Sequence, residues 1–152
     1  PEKGKGNTLF ASQYRSYETL DNEMKEKLKS LKAVFSADGP ISKTRKNRVD
    51  EKGTGIDPKS LSAIHPIIKE NERNKKKSLY LSPGHAIKIC DLDEQESKNL
   101  MQQLIDHQTK DEFIYGFEWE PNCLALWSNY AVLHNPVNDF NAHRVMHRIT
   151  IQ

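Results

Sequence analysis

The last third of the chain constrains its fold most. Phe113–Trp119, Cys123–Ser128, Ala131–Asn135 and Arg144–Ile151 are short runs with alternating apolar, aromatic and β-branched residues. Glu120-Pro121-Asn122 and a Pro/Asn/Asp-rich stretch after His134 punctuate them. Period-two runs separated by turn formers predict consecutive strands, and connections this short favour antiparallel pairing.

The preceding residues fit the same architecture. Thr8–Ser12 predicts a strand, and Gln13–Lys32 turns helical, with Tyr14, Tyr17 and Leu20 on one face and Met24, Leu28 and Leu31 on another. Asp21 stands between the two sets as the N-cap of a second helix. Leu31–Phe35 predicts a strand. Residues 36–62 hold three glycines and two prolines with almost no apolar periodicity, which predicts a long loop, either a lid or a connector. Ala63–Ile68 contains Pro66, which suits an edge strand or a strand start. Lys69–Lys77 turns the chain into Ser78–Leu81, giving a hairpin; Ser82-Pro83-Gly84 is a further turn and His85–Cys90 a short strand. Asp93 with Glu96 three residues on is a capping box, and Leu100, Met101, Leu104 and Ile105 form the stripe of the best-marked helix. The expected fold is mainly β with flanking helices: a mostly antiparallel sheet rolled into a barrel or sandwich.

At 152 residues the chain makes one domain, 1–152. A net charge of +2 is too small to argue for nucleic acid. The basic runs Lys43–Arg48 and Arg73–Lys77 also lack the interleaved aromatics of a base-stacking platform. No run approaches the ~20 apolar residues of a membrane span. Two cysteines make neither a disulfide framework nor a paired zinc spacing, so a reducing cytoplasm is expected. The chain begins at Pro1 and ends inside a strand-like run, so the expectation is part of a longer protein.

Chemistry concentrates in Trp127–Arg148, WSNYAVLHNPVNDFNAHRVMHR. His134 lies in an apolar run, where it reads as a core histidine or a metal ligand. On a strand, Arg144 and Arg148 would share a face with stems roughly 13 Å apart. Buried, they would need anions, because unpaired buried charge is costly and guanidinium suits carboxylates. On an edge strand they would be surface ion-pair formers. His143 and His147 are too far apart on a strand to share one zinc.

The segment Phe117–Ile151, with its W-x-N-x4-H spacing followed by R-V-M-H-R, resembles the C-terminal end of the taurine dioxygenase (TauD/TfdA-like) family. The resemblance extends to GNTLFASQYRSYETLDNEMKEKLKSLKAVF, AIHPIIKE, SLYLSPGHAIKI and LDEQESKNLMQQLIDHQTKDEFIYGFEW. It implies a double-stranded β-helix core (jelly roll, cupin-like), truncated here at the N-terminus. It also implies Fe(II) and 2-oxoglutarate with O2: oxidative decarboxylation to succinate and CO2, coupled to hydroxylation of a small anionic substrate such as taurine or another sulfonate. Residue by residue, His134 matches the distal histidine of a His-x-Asp…His iron triad. Thr8 and Arg144 match the groups holding the far carboxylate of 2-oxoglutarate, and Arg148 the group holding the substrate anion. Trp127 and Asn129 fall at a supporting Trp-x-Asn. Members of the family often form dimers or tetramers, so a homodimer or homotetramer is expected, with no nucleic-acid or membrane partner. The departure is that none of the six histidines is followed two residues later by Asp or Glu. The alternatives are the same chemistry on an aryloxyacetate or other carboxylate, or a non-catalytic jelly roll that has lost its iron.

Overall fold

The computed structural model describes residues 3–40, 61–141, 143 and 145–151. Strand β1 (Thr8–Ser12) lies at the centre of a three-stranded antiparallel sheet, between β7 (Ile114–Phe117) and β8 (Val132–Pro136). A second antiparallel sheet has β2 (Lys32–Ser36) between β3 (Ser62–Pro66) and β6 (Ala86–Ile89). The hairpin β4 (Ile68–Glu70) and β5 (Lys77–Leu79) makes a third.

Local chemistry explains the elements between the strands. Ser12 ends β1 and caps α1 (Gln13–Glu18), its side chain accepting from the Arg15 amide. Asp21 caps α2 (Asn22–Leu28) as expected, accepting from the Met24 amide at 2.6 Å. Pro66 closes β3, an edge strand, where its missing N–H interrupts no central ladder. Arg73–Lys76 lies in the exposed turn of the β4–β5 hairpin and Lys77 begins β5, the turn being held by the Asn71 amide donating to the Lys76 carbonyl at 2.9 Å. These lysines and the arginine are solvated. The run Lys43–Arg48, with most of the predicted 36–62 loop, lies outside the described residues.

The long helix α3 (Glu94–Gln108) carries the full capping box: Asp93 accepts from the Glu96 amide at 2.8 Å, and Glu96 accepts from the Asp93 amide at 3.4 Å. Asp93→Ala removes one of these bonds and leaves the other unsupported. It is expected to cost about 1 kcal/mol, read as a lower denaturant midpoint with unchanged slope. Leu100 and Leu104 of α3 enter a core with Leu20, Leu28, Ala33, Ile67, Leu79, Leu81, Ala86 and Ile89. Met101 and Ile105 pack at its edge, as the stripe predicts.

Three expectations are corrected. Phe113 belongs to a 3-10 turn (Asp111–Phe113) and is buried, whereas Tyr115 in β7 is 65% exposed; the two do not form one continuous strand face. Cys123–Ser128 forms no strand, and Leu124 and Leu126 are 81% and 82% exposed. The described residues of Arg144–Ile151 form none either, and Ile149 and Ile151 stand in solvent. Alternation marks a sequence able to make a strand; the strand exists only where a neighbour completes the ladder and covers the apolar face. Among the described residues β8 pairs with β1 on one side only, and no further strand pairs with the segments on either side of it.

Candidate functional site

The sheet β7-β1-β8 brings the sequence-predicted residues together. In the β1–β8 ladder Thr8 faces Pro136 and Phe10 faces His134. Thr8 and Phe10 are two residues apart, and direct cross-strand partners share a face, so Thr8 and His134 lie on the same side. They are diagonal neighbours, with backbones roughly 7–8 Å apart.

His134 sits among rings. Its imidazole is 5.2 Å from the Trp127 ring and 6.4 Å from Phe10, and Trp127 meets Phe10 edge-on at 5.2 Å. Burial in this apolar surround lowers the His134 pKa below its usual value, and the charge of Arg148 lowers it further. Both causes favour the neutral imidazole, the form that binds a metal. Arg148 itself is exposed.

Thr8 is buried, and its hydroxyl oxygen accepts from the Trp119 indole N–H at 2.9 Å. Trp119 is held in turn edge-on against Phe117, the β7 residue opposite Thr8, with ring centroids 4.9 Å apart. The chain leaving β8 is tied back to the start of β1. The Val137 amide donates to the Asn7 carbonyl at 2.9 Å, and the Gly6 amide donates to Asp139 Oδ1 at 2.7 Å.

The entry into β8 is pinned as well. Tyr130 carries the Lys69 ammonium 4.0 Å above its ring, and Lys69 is 5.0 Å from the ring of Tyr80. Trp127 is thus a direct neighbour of His134, whereas Asn129 is an exposed residue of the turn. Arg144, and with it the expected shared face for Arg144 and Arg148, lies outside the described residues.

The donor set is incomplete for iron. Among the described residues no three His, Cys, Asp or Glu side chains group to hold a metal, and the site offers one imidazole. A hollow of about 250 Å³ bordered by Tyr17, Lys25 and Lys77 includes none of the predicted site residues.

Sequence reasoning missed two members of the site. Phe10 was legible, since it stands two residues from Thr8 in a predicted strand and must share its face. Trp119 was not. Its bond to Thr8 spans 111 residues, and no local pattern carries it.

The model of the family described as "Taurine catabolism dioxygenase TauD, TfdA family" matches residues 1–150. The chain is 30% identical to the alpha-ketoglutarate-dependent sulfonate dioxygenase of Saccharomyces cerevisiae, over 98% of this chain and 36% of that protein. It is 31% identical to the (S)-phenoxypropionate/alpha-ketoglutarate-dioxygenase of Sphingobium herbicidovorans, over 93% of this chain and 50% of that one. A taurine dioxygenase structure from Burkholderia xenovorans superposes with a TM-score of 0.75 at 24% identity, covering 91% of this chain and 42% of the other. The chain thus spans half or less of the length of these proteins. A match over nearly every residue and a shared fold place the chain in the taurine catabolism dioxygenase TauD, TfdA family.

Proposed function

We propose that this chain is the C-terminal part of an Fe(II)- and 2-oxoglutarate-dependent dioxygenase with a double-stranded β-helix core, hydroxylating a small anionic substrate. One observation carries the reading: Thr8 and His134 lie on one face of adjacent strands, at a separation that a short dicarboxylate spans. His134 supplies one iron ligand. The other two, a His-x-Asp or His-x-Glu pair, lie outside residues 1–152. Iron so held would activate oxygen beside the keto acid. The residues of this chain bind and orient: Thr8 and Arg144 fix the far carboxylate of 2-oxoglutarate, and Arg148 draws the substrate anion toward the imidazole side of the sheet. Trp127 and Phe10 cover part of the His134 ring and hold its plane.

A sulfonate is the substrate class we favour, on the likeness to the yeast protein. An aryloxyalkanoate is the second reading, on the likeness to the Sphingobium protein, because a guanidinium holds a carboxylate as well as it holds a sulfonate. Succinate formation across a panel of sulfonates and aryloxy acids decides between them. In the protein at its full natural length, Arg148→Ala is expected to raise the KM for the prime substrate about 10–100-fold, the loss of a charge-assisted hydrogen bond, with 2-oxoglutarate KM little changed. Equal changes in both would show that Arg148 does not hold the substrate. A natural sequence with no His-x-Asp or His-x-Glu before Pro1 would leave the non-catalytic jelly roll as the answer. The same reading carries a cytoplasmic homodimer or homotetramer.

A further inference from the structure

We propose that Trp119 is a positioning residue for 2-oxoglutarate, setting the Thr8 hydroxyl as a hydrogen-bond donor to the cosubstrate carboxylate; this rests on the role given to Thr8 above. A threonine hydroxyl carries one donor hydrogen and two acceptor lone pairs, and its rotor takes whichever staggered position suits its surroundings. The indole N–H can only donate. At 2.9 Å it therefore fills an acceptor site of Thr8 Oγ1, and the hydroxyl hydrogen must point elsewhere. Thr8 is 7% exposed, so bulk water has little access to reorient it.

The indole is itself fixed. Its edge-on contact with Phe117 places it against the residue paired with Thr8 across the β1–β7 ladder. Thr8 belongs to a central strand paired on both sides, with Phe117 and with Pro136. The backbone beneath the hydroxyl is thus held by two ladders, and the rotor is what remains to be set. Trp119 sets it. A donor aimed in advance at a carboxylate makes a charge-assisted bond without first losing rotational freedom.

The test is the affinity of the full-length protein, loaded with Mn(II), for the unreactive analogue N-oxalylglycine, measured by titration calorimetry. Thr8→Val is expected to weaken binding about 10–100-fold and Trp119→Phe about 3–10-fold. The Thr8→Val/Trp119→Phe double variant should be no weaker than Thr8→Val alone, because the indole acts only through the hydroxyl. Trp119→Phe should leave the prime-substrate KM unchanged, which a loosened fold would not. If Trp119→Phe folds poorly, Thr8→Ser serves instead: it keeps the hydroxyl and should retain affinity near that of the parent. Additive losses in the double variant, a Thr8→Ser protein as weak as Thr8→Val, or a Trp119→Phe protein that binds normally would overturn the role of Trp119. Failure of the parent protein to bind the analogue at all would instead sink the proposed function, and this inference with it.

Discussion

His134→Ala, in the protein at its full natural length, is expected to abolish succinate formation and to weaken metal binding by more than about 100-fold. Loss of even an outer partner of a metal ligand costs about 10–100-fold in metal affinity, and a ligand itself must cost more. The position is built for a neutral imidazole: burial among Phe10 and Trp127 and the nearby charge of Arg148 both disfavour the imidazolium. The alanine leaves a gap beneath two aromatic rings in a half-buried place, so thermal unfolding should shift by only a few degrees. Metal affinity measured with a competing chelator checks the first part, and the melting curve checks the second. A variant that binds metal as the parent does would remove His134 from the ligand set.

Leu104→Ala is the change expected to damage the fold most. Leu104 is 1% exposed and packs with Leu28, Leu79, Leu81 and Ile89, contributed by α2, the end of the β4–β5 hairpin and β6. No single neighbour can move in to fill the space, because the neighbours are divided among three separate parts of the fold. Leucine-to-alanine changes at such sites cost about 2–5 kcal/mol, against a total stability of ~5–15 kcal/mol for an ordinary domain. A large drop in the urea midpoint is expected, with Gln103→Ala on the exposed side of the same helix changing it by less than about 0.5 kcal/mol. A Leu104→Ala midpoint as mild as that of Gln103→Ala would mean that the cluster is not the stabilising core. Because α3 also contacts α1 through His107 Nε2 and the Ser16 carbonyl at 2.8 Å, the damage should spread toward the sheet that carries Thr8.

How much of this was legible depended on the range of the interaction. The caps at Asp21 and Asp93, the stripe of α3 and the β4–β5 hairpin are local: each needs only residues within about a dozen positions of one another, so the chain spells them. The choice of His134 came from spacing and resemblance and that of Thr8 from resemblance alone, and the ladder places them as diagonal neighbours. Cys123–Ser128 and Arg144–Ile151 show the opposite case. Their alternation is as good as that of β1, yet the described residues there stay unpaired and largely exposed, since a strand also requires a partner edge.

The amino-acid sequence by itself determined the helices, the turns and the order of most strands, because these follow from propensity, capping and period; the candidate chemistry came from the resemblance of its motifs to a known family. Only the tertiary structure decided which strands pair and where the rings around His134 come from. It alone showed that Trp119, 111 residues away along the chain, holds the Thr8 hydroxyl. Pairing and ring contacts are set by chain segments meeting in space, and local spacing carries no record of which segments meet.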